Sequence, residues 1–219
     1  MPLVVWKAIF GQTAGRPMAV SWRGFYAIVD PEVCEPLPTT EAILAGGCAV
    51  LQLRDKRGDD GETLALGREL ARRCRARGVP FVMNDRLDLA LLIGADGLHL
   101  GQDDLPIEEA RRYFGGPIGL STHGLAQARQ AAAAGADLLG LGPIFATTTK
   151  ANADPAVGLE GLRQVCAEVS VPVVAIGGLE AMHAPSVAAA GAALGAAIAA
   201  VCRAENPMGA ARCFHEAWS

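Results

Sequence analysis

Polar residues in this chain gather at the ends of short apolar runs. Gln52, Arg54 and Lys56 alternate with Leu53 and Asp55 where the run Ala49–Leu53 ends. In an extended segment, period-2 alternation sends the three to one side. Two cations and an amide on one side of an apolar strand are costly unless they meet an anion. A second cluster follows Leu138–Leu141. In Gly142-Pro143-Ile144-Phe145-Ala146-Thr147-Thr148-Thr149-Lys150, three hydroxyls and one ammonium fill the last four positions. Such a loop suits an oxyanion such as phosphate, although a solvated Thr-rich turn has the same composition.

Other run ends carry further chemistry. Asn84-Asp85 follow Pro80–Met83, and Gly101-Gln102-Asp103-Asp104 follow Gly97–Leu100. Carboxylates from neighbouring strand ends, here Asp85 and Asp104, suit Mg²⁺, which takes hard oxygen ligands and keeps several waters. Each also fits a helix cap, Asp85 ahead of a helix near Arg86 and Asp104 ahead of Pro106. Ser121 fits a cap or a ligand contact, and the His123 imidazole is a group of the kind that can act as acid or base. His99 reads as a packed, hydrogen-bonded residue. Gly177-Gly178 let the backbone approach a ligand closely, and Ala193–Ile198 ends in Ile198-Ala199-Ala200.

The elements that must hold these residues alternate along the chain. Short, unalternating apolar runs occur at Phe25–Val29, Ala49–Leu53, Pro80–Met83, Gly97–Leu100, Ile118–Leu120, Leu138–Leu141, Val173–Ile176 and Ala193–Ile198. They read as strands buried on both faces of a parallel sheet. Helical patterns fill the gaps at Thr39–Leu44, Glu62–Arg77, Arg86–Ile93, Pro106–Phe114, Leu125–Ala134, Leu159–Val169, Glu180–Ala190 and Asn206–Trp218. Several end in Gly, a helix stop. Eight such units predict an α/β fold, a single (β/α)₈ TIM barrel over residues 24–219. An open doubly wound sheet is the alternative, weakened because no G-x-G-x-x-G follows the first strand. In a barrel, residues at the strands' C-terminal ends converge on the active-site face.

Bulk properties narrow the function. The 219 residues are 51% hydrophobic and carry a net charge of −4, which argues against a nucleic-acid binder. The six cysteines form no C-x-x-C pair and no metal-ligand spacing, as expected of reduced thiols in a cytoplasmic protein. The most apolar stretch, Ser186 to Cys202, is too short and too rich in Ala and Gly to span a membrane. Residues 1–23, broken by Gly11, Gly15 and Pro17, read as an N-terminal extension rather than a signal peptide.

Six motifs at successive strand ends resemble the thiamine phosphate synthase family. They are Gln-Leu-Arg-x-Lys at 52–56, Asn-Asp at 84–85, Gly-Leu-His-Leu-Gly-Gln-x-Asp at 97–104, Ser-x-His at 121–123, Gly-Pro-Ile-Phe-x-Thr-x-Thr-Lys at 142–150 and Ile-Gly-Gly at 176–178. The resemblance implies a Mg²⁺-assisted transferase that joins hydroxymethylpyrimidine diphosphate to a thiazole phosphate and releases pyrophosphate. By the family pattern, Gln52, Leu53, Arg54, Asp55, Lys56, Asn84, Ser121 and Lys150 hold the pyrimidine diphosphate. Arg54, Lys56, Lys150 and Ser121 are the catalytic set, and Asp85 and Asp104 hold Mg²⁺. Thr147, Thr148, Thr149, Gly178, Ile198 and Ala199 hold the thiazole phosphate. Family members commonly carry Ser where this chain has Ala199, so one phosphate-binding hydroxyl is missing. The implied partners are these small molecules, with no nucleic acid or membrane and a homo-oligomer as an option. The same superfamily offers two alternatives, a metal-free thiazole tautomerase using a histidine such as His123 and a non-catalytic thiazole- or thiamine-phosphate-binding barrel.

Overall fold

The computed structural model describes residues 23–147 and 155–218. Of the expected extension, residues 1–23, only Arg23 is among them. Eight parallel strands close into a barrel in chain order. They are β1 (Gly24–Val29), β2 (Val50–Leu53), β3 (Phe81–Asn84), β4 (Gly97–Leu100), β5 (Ile118–Thr122), β6 (Leu138–Leu141), β7 (Val173–Ile176) and β8 (Leu194–Ala197). The helices are α1 (Pro36–Gly46), α2 (Asp60–Ala76), α3 (Leu87–Ile93), α4 (Ile107–Arg111), α5 (Leu125–Ala133), α6 (Gly158–Glu168), α7 (Ala184–Ala189), α8 (Ala199–Cys202) and α9 (Pro207–Ala217), with a 3₁₀ turn at Ala181–His183. The expected TIM barrel is the observed one.

Local chemistry accounts for the helices. α2 buries Thr63, Gly67, Leu70, Ala71 and Cys74, a stripe at helical spacing, and carries Asp60 and Glu62 in its first turn and Arg73 and Arg75 in its last. α9 starts at Pro207, and the Asn206 side chain accepts from Gly209 N at 3.0 Å. Among the boundaries that differ from the sequence reading, three lie next to strand ends that carry site residues. The helix expected over 106–114 is confined to Ile107–Arg111. β5 continues through Ser121 and Thr122, where Thr122 Oγ1 donates to Gly140 O at 3.1 Å. The chain past Ala197 leaves the sheet at once and turns into α8.

Alternation along the strands separates two apolar layers. Tyr26, Ile28, Val50, Val82, Leu138, Val174, Leu194 and Ala196 pack on one another inside the barrel. Phe25, Ala27, Val29, Leu51, Leu53 and their equivalents face the helices, where Phe25 stacks on Phe214 of α9 with centroids 4.7 Å apart. Trp218, just past α9, lies against β8, and its indole Nε1 donates to Ala193 O at 3.1 Å. A Cβ on Gly195 would sit 2.3 Å from Trp218 Cζ3.

Gly195→Ala therefore overpacks the seam where β8 meets β1. The expected loss is about 1–3 kcal/mol, the usual range for extra carbon in a full core. It is read as a lower urea midpoint with an unchanged slope. Unfolding at the wild-type midpoint would mean that the indole has room to move aside.

Candidate active site

Polar residues replace apolar ones only toward the C-terminal ends of the strands. Gln52 lies buried inside the barrel; its Nε2 donates to Asn84 Oδ1 at 2.9 Å and its Oε1 accepts from the Tyr26 hydroxyl at 2.7 Å. Burial pushes the Tyr26 phenol far above its usual range, so it remains a neutral donor. That donor fixes which way the Gln52 amide points. The Asn84 oxygen is then occupied, and its N–H groups are left for the cavity.

His99 stands beside Asn84 in the sheet register, and its Nε2 lies 2.9 Å from Ser121 Oγ. Its neighbours across β5 and β6 are Gly119 and Gly140. A Cβ on Gly119 would come within 2.6 Å of His99 Nδ1, so the imidazole occupies space that a side chain would take. His99 Nδ1 is buried with no partner among the described residues. The tautomer that avoids a buried orphan N–H carries its proton on Nε2. His99 then donates to Ser121, and the Ser121 hydroxyl hydrogen is available to a ligand. Ser121 is thus held by His99, while the residue before α5 is Gly124.

The charged groups are paired. The Arg54 guanidinium bonds to Asp30, a buried carboxylate at the end of β1 whose Oδ1 also accepts from Glu32 N at 2.9 Å. Lys56 bonds to Asp85, and Asp85 meets Asp104. Neither aspartate caps a helix. Asp85 has φ +60°, and its N–H donates to His99 O at 2.7 Å. Asp104 Oδ2 accepts from Gly101 N at 2.7 Å. Burial first, then the hydrogen bond with Asp104, raises Asp85 above the usual carboxylate range against the pull of Lys56. Burial also works upward on Asp104, but the Asp85 hydrogen bond, the Gly101 N–H and Lys56 outweigh it and hold Asp104 low. Two carboxylates forced into contact share a proton or a cation. The pair offers only hard oxygen, and among the described residues no third carboxylate, His or Cys completes a cluster. That set fits Mg²⁺, which is commonly held by one or two carboxylates with waters and substrate phosphates filling the rest.

Two cavities open at this end. The first, about 170 Å³, is lined by Tyr26, Gln52, Arg54, Asn84, His99, Ser121 and His123 among others. His123 Nδ1 donates to Gly142 O at 2.7 Å. The second, about 510 Å³, is bounded by Gly178, Ala199, Ala200 and Arg203. Thr147, Ile176, Gly177, Ala196 and Ile198 line both and form the wall between them.

The family model described as thiamine monophosphate synthase matches residues 25–201. The chain belongs to this family. It is similar to the thiamine-phosphate synthase of Chloroflexus aurantiacus, 43% identical over 197 residues that cover 88% of this chain and 91% of that protein. It is similar also to that of Methanocella arvoryzae, 47% identical over 171 residues, 77% of this chain and 81% of that one. Among solved structures, thiamine phosphate pyrophosphorylase from Pyrococcus furiosus superposes with a TM-score of 0.84 at 34% identity, covering 90% of this chain and 96% of that chain.

Not every residue of the family pattern reaches the cavities with its side chain. Leu53 is buried against the helices, and Asp55 accepts from Gly58 N at 2.8 Å and from Thr63 Oγ1 at 2.8 Å, bracing the loop before α2. Both placements follow from alternation: if Gln52 points inward, its neighbour Leu53 points outward. Thr148, Thr149 and Lys150 lie outside the described residues. The sequence reading passed over Tyr26, Asp30 and Arg203. Asp30 was detectable as a carboxylate directly after the first strand run. All six cysteines are free thiols, and no helix among the described residues is long and apolar enough to cross a membrane.

His99 gives this family member a pH-dependent stability. Burial pushes the imidazole from 6.5 down to about 4. Between those values the unfolded chain binds a proton that the folded chain refuses. Stability is full above pH 6.5 and falls toward pH 4, by up to roughly 3 kcal/mol for this residue alone. His99→Gln should flatten that part of a urea-midpoint profile measured from pH 7 to pH 4. An unchanged profile would show that the imidazole takes up its proton without unfolding.

Proposed function

We infer that this chain is a thiamine phosphate synthase, condensing hydroxymethylpyrimidine diphosphate with a thiazole phosphate to release pyrophosphate. The observation that carries the reading is the pair of cavities sharing the wall of Thr147, Ile176, Gly177, Ala196 and Ile198. Two ligands seated on either side of that wall lie next to each other, which is what a condensation needs. Membership of the family supplies the identity of the two ligands.

The first cavity suits the pyrimidine. The Asn84 amide and the Ser121 hydroxyl offer donors at its end, and Gln52 with Tyr26 holds Asn84 in place. The pyrimidine amino group pushes electrons toward the ring as the methylene C–O bond breaks, and the thiazole nitrogen attacks the methylene carbon. No side chain must remove a proton from carbon, so a set rich in amides, hydroxyls and cations is sufficient. The diphosphate belongs beside Arg54 and Lys56, whose guanidinium and ammonium neutralise the charge that grows on the leaving oxygen. The family pattern assigns Lys150, which follows β6 in the chain, to the same diphosphate. Both described cations start paired, Arg54 with Asp30 and Lys56 with Asp85. Asp85 and Asp104 would hold Mg²⁺, which when bound adds positive charge against the pyrophosphate. The second cavity takes the thiazole phosphate, with Thr147, Gly178 and Ala199 on its walls and Thr148 and Thr149 following in the chain.

The decisive assay mixes the protein with both substrates and Mg²⁺ and quantifies thiamine phosphate and pyrophosphate. Product is expected, and EDTA is expected to stop it. Asp85→Asn should lower kcat at least 100-fold with the fold intact by circular dichroism, because one of two carboxylate ligands is lost. Full turnover by that variant would overturn the metal assignment. Thiazole isomerisation without metal, or tight binding of thiamine phosphate with no turnover, would overturn the synthase reading.

A further inference from the structure

The second cavity is walled mainly by backbone and methyl groups. Its polar side chains among the described residues are Thr147, Glu180 and Arg203. The Glu180 carboxylate accepts from the His183 backbone N–H, so it is used in the 3₁₀ turn. Arg203 ends α8, and its backbone N–H donates to Ala199 O at 3.0 Å, which anchors the residue at the cavity edge. Other guanidinium groups are committed elsewhere, Arg86 to Asp60 and Asp88 and Arg129 to Glu168. The Arg203 guanidinium is exposed, and no carboxylate among the described residues lies within ion-pair distance of it.

The rest of the described wall offers the Thr147 hydroxyl and backbone N–H groups, but no second cation. Gly178 adopts φ +65°, and a Cβ there would meet Ala146 O at 2.5 Å and Phe145 Cβ at 2.8 Å, so the backbone itself forms the surface. Ala199 and Ala200 supply methyls and no hydroxyl. A guanidinium presents parallel N–H donors in a fork that matches two phosphate oxygens, and it stays charged at any working pH. Arg203, the one cationic side chain among the described residues lining this cavity, is therefore suited to the phosphate end of a ligand whose ring fills the interior.

We propose that Arg203 is the specificity residue for the second substrate, binding its phosphate ester and setting the preference for the phosphorylated thiazole over the free alcohol. This assignment rests on the function inferred above. It is tested by calorimetric titration of thiamine phosphate and of thiamine into the wild type, Arg203→Ala and Arg203→Lys. The wild type should bind thiamine phosphate more tightly than thiamine. Arg203→Ala should weaken thiamine phosphate about tenfold, the size of one charge-assisted contact at a partly exposed site. It should leave the affinity for thiamine unchanged, and Arg203→Lys should fall between the two. Equal losses for both ligands would mean that Arg203 only shapes the cavity and would overturn the proposal. So would an unchanged thiamine phosphate affinity, or a wild type that does not discriminate. The condensation assay separates the two levels. Turnover by the wild type with full thiamine phosphate affinity in Arg203→Ala would keep the function and remove this role. A wild type without turnover whose Arg203→Ala variant still loses phosphate affinity would do the reverse.

Discussion

A closed parallel barrel gives the two faces of every strand different surroundings. One face meets helices and must be apolar along its whole length. The other meets the opposite strands across a narrow interior. In this chain the helix-facing side of β2 carries Leu51 and Leu53, while the interior side passes from Val50 to Gln52 to Arg54. Polarity therefore rises toward one end of the barrel only on the inside. The interior can accept those groups because neighbouring strands place small residues beside them. Gly119 and Gly140 make room for His99, and Ala196 faces Tyr26 across the β1–β8 seam.

The groups that gather there are expensive to bury and are therefore paired. Tyr26, Gln52 and Asn84 form one chain of hydrogen bonds, and each link limits how the next amide can turn. His99 does the same for the Ser121 hydroxyl. The charges are matched more loosely. Arg54 and Asp30 are held together with the carboxylate buried and the guanidinium reaching the cavity, so half of the pair is already facing any anion. Asp85 is less comfortable. It is a non-glycine residue at φ +60° whose carboxylate contacts another carboxylate. Backbone conformations of this kind typically cost about 1–3 kcal/mol and persist where surrounding contacts impose them. Here the imposing contacts are its N–H to His99 O and its ion pair with Lys56. A cation between the carboxylates would relieve the repulsion that the strain maintains.

Much of this arrangement was legible in the chain, for identifiable reasons. Short apolar runs followed by helical stripes specify parallel strands with crossovers, and those fix where each run end must point. The inward set of Gln52, Arg54 and Lys56 followed from spacing alone, and the cavity side of the barrel does hold Gln52 and Arg54. Partners across the barrel were not legible. Nothing local to Gln52 tells that Tyr26, 26 positions earlier, bonds to it, or that Asp30 neutralises Arg54. Those pairings depend on register between strands, which a single run does not encode. Asp85 and Asp104 each fitted a helix cap because Asp is suited to both jobs. The competing cap readings failed on backbone geometry: the N-cap of α3 is Arg86, one residue past Asp85, and that of α4 is Pro106, two residues past Asp104. Leu53 and Asp55 show the converse, since a motif names consecutive residues while a strand shows only every second one to the cavity.

The short helix α8 links these features. Read as the tail of a strand, Ile198-Ala199-Ala200 would continue inside the barrel and fill the space beside Ala196. Instead Ile198 breaks the ladder with φ −109° and ψ −80°, and the chain coils at once. That turn leaves Ile198 on the wall common to both cavities and carries Ala199 and Ala200 to the second one alone. It also carries Arg203 back to the rim four residues after Ala199, one helical turn away. A residue that delivers charge from the end of a turn reaches inward from solvent, whereas a hydroxyl at Ala199 would act from the wall itself. The two solutions place a phosphate in the same cavity. They differ in how much of the binding is exposed to salt, because a rim guanidinium is screened by mobile ions and a hydroxyl on the wall is not.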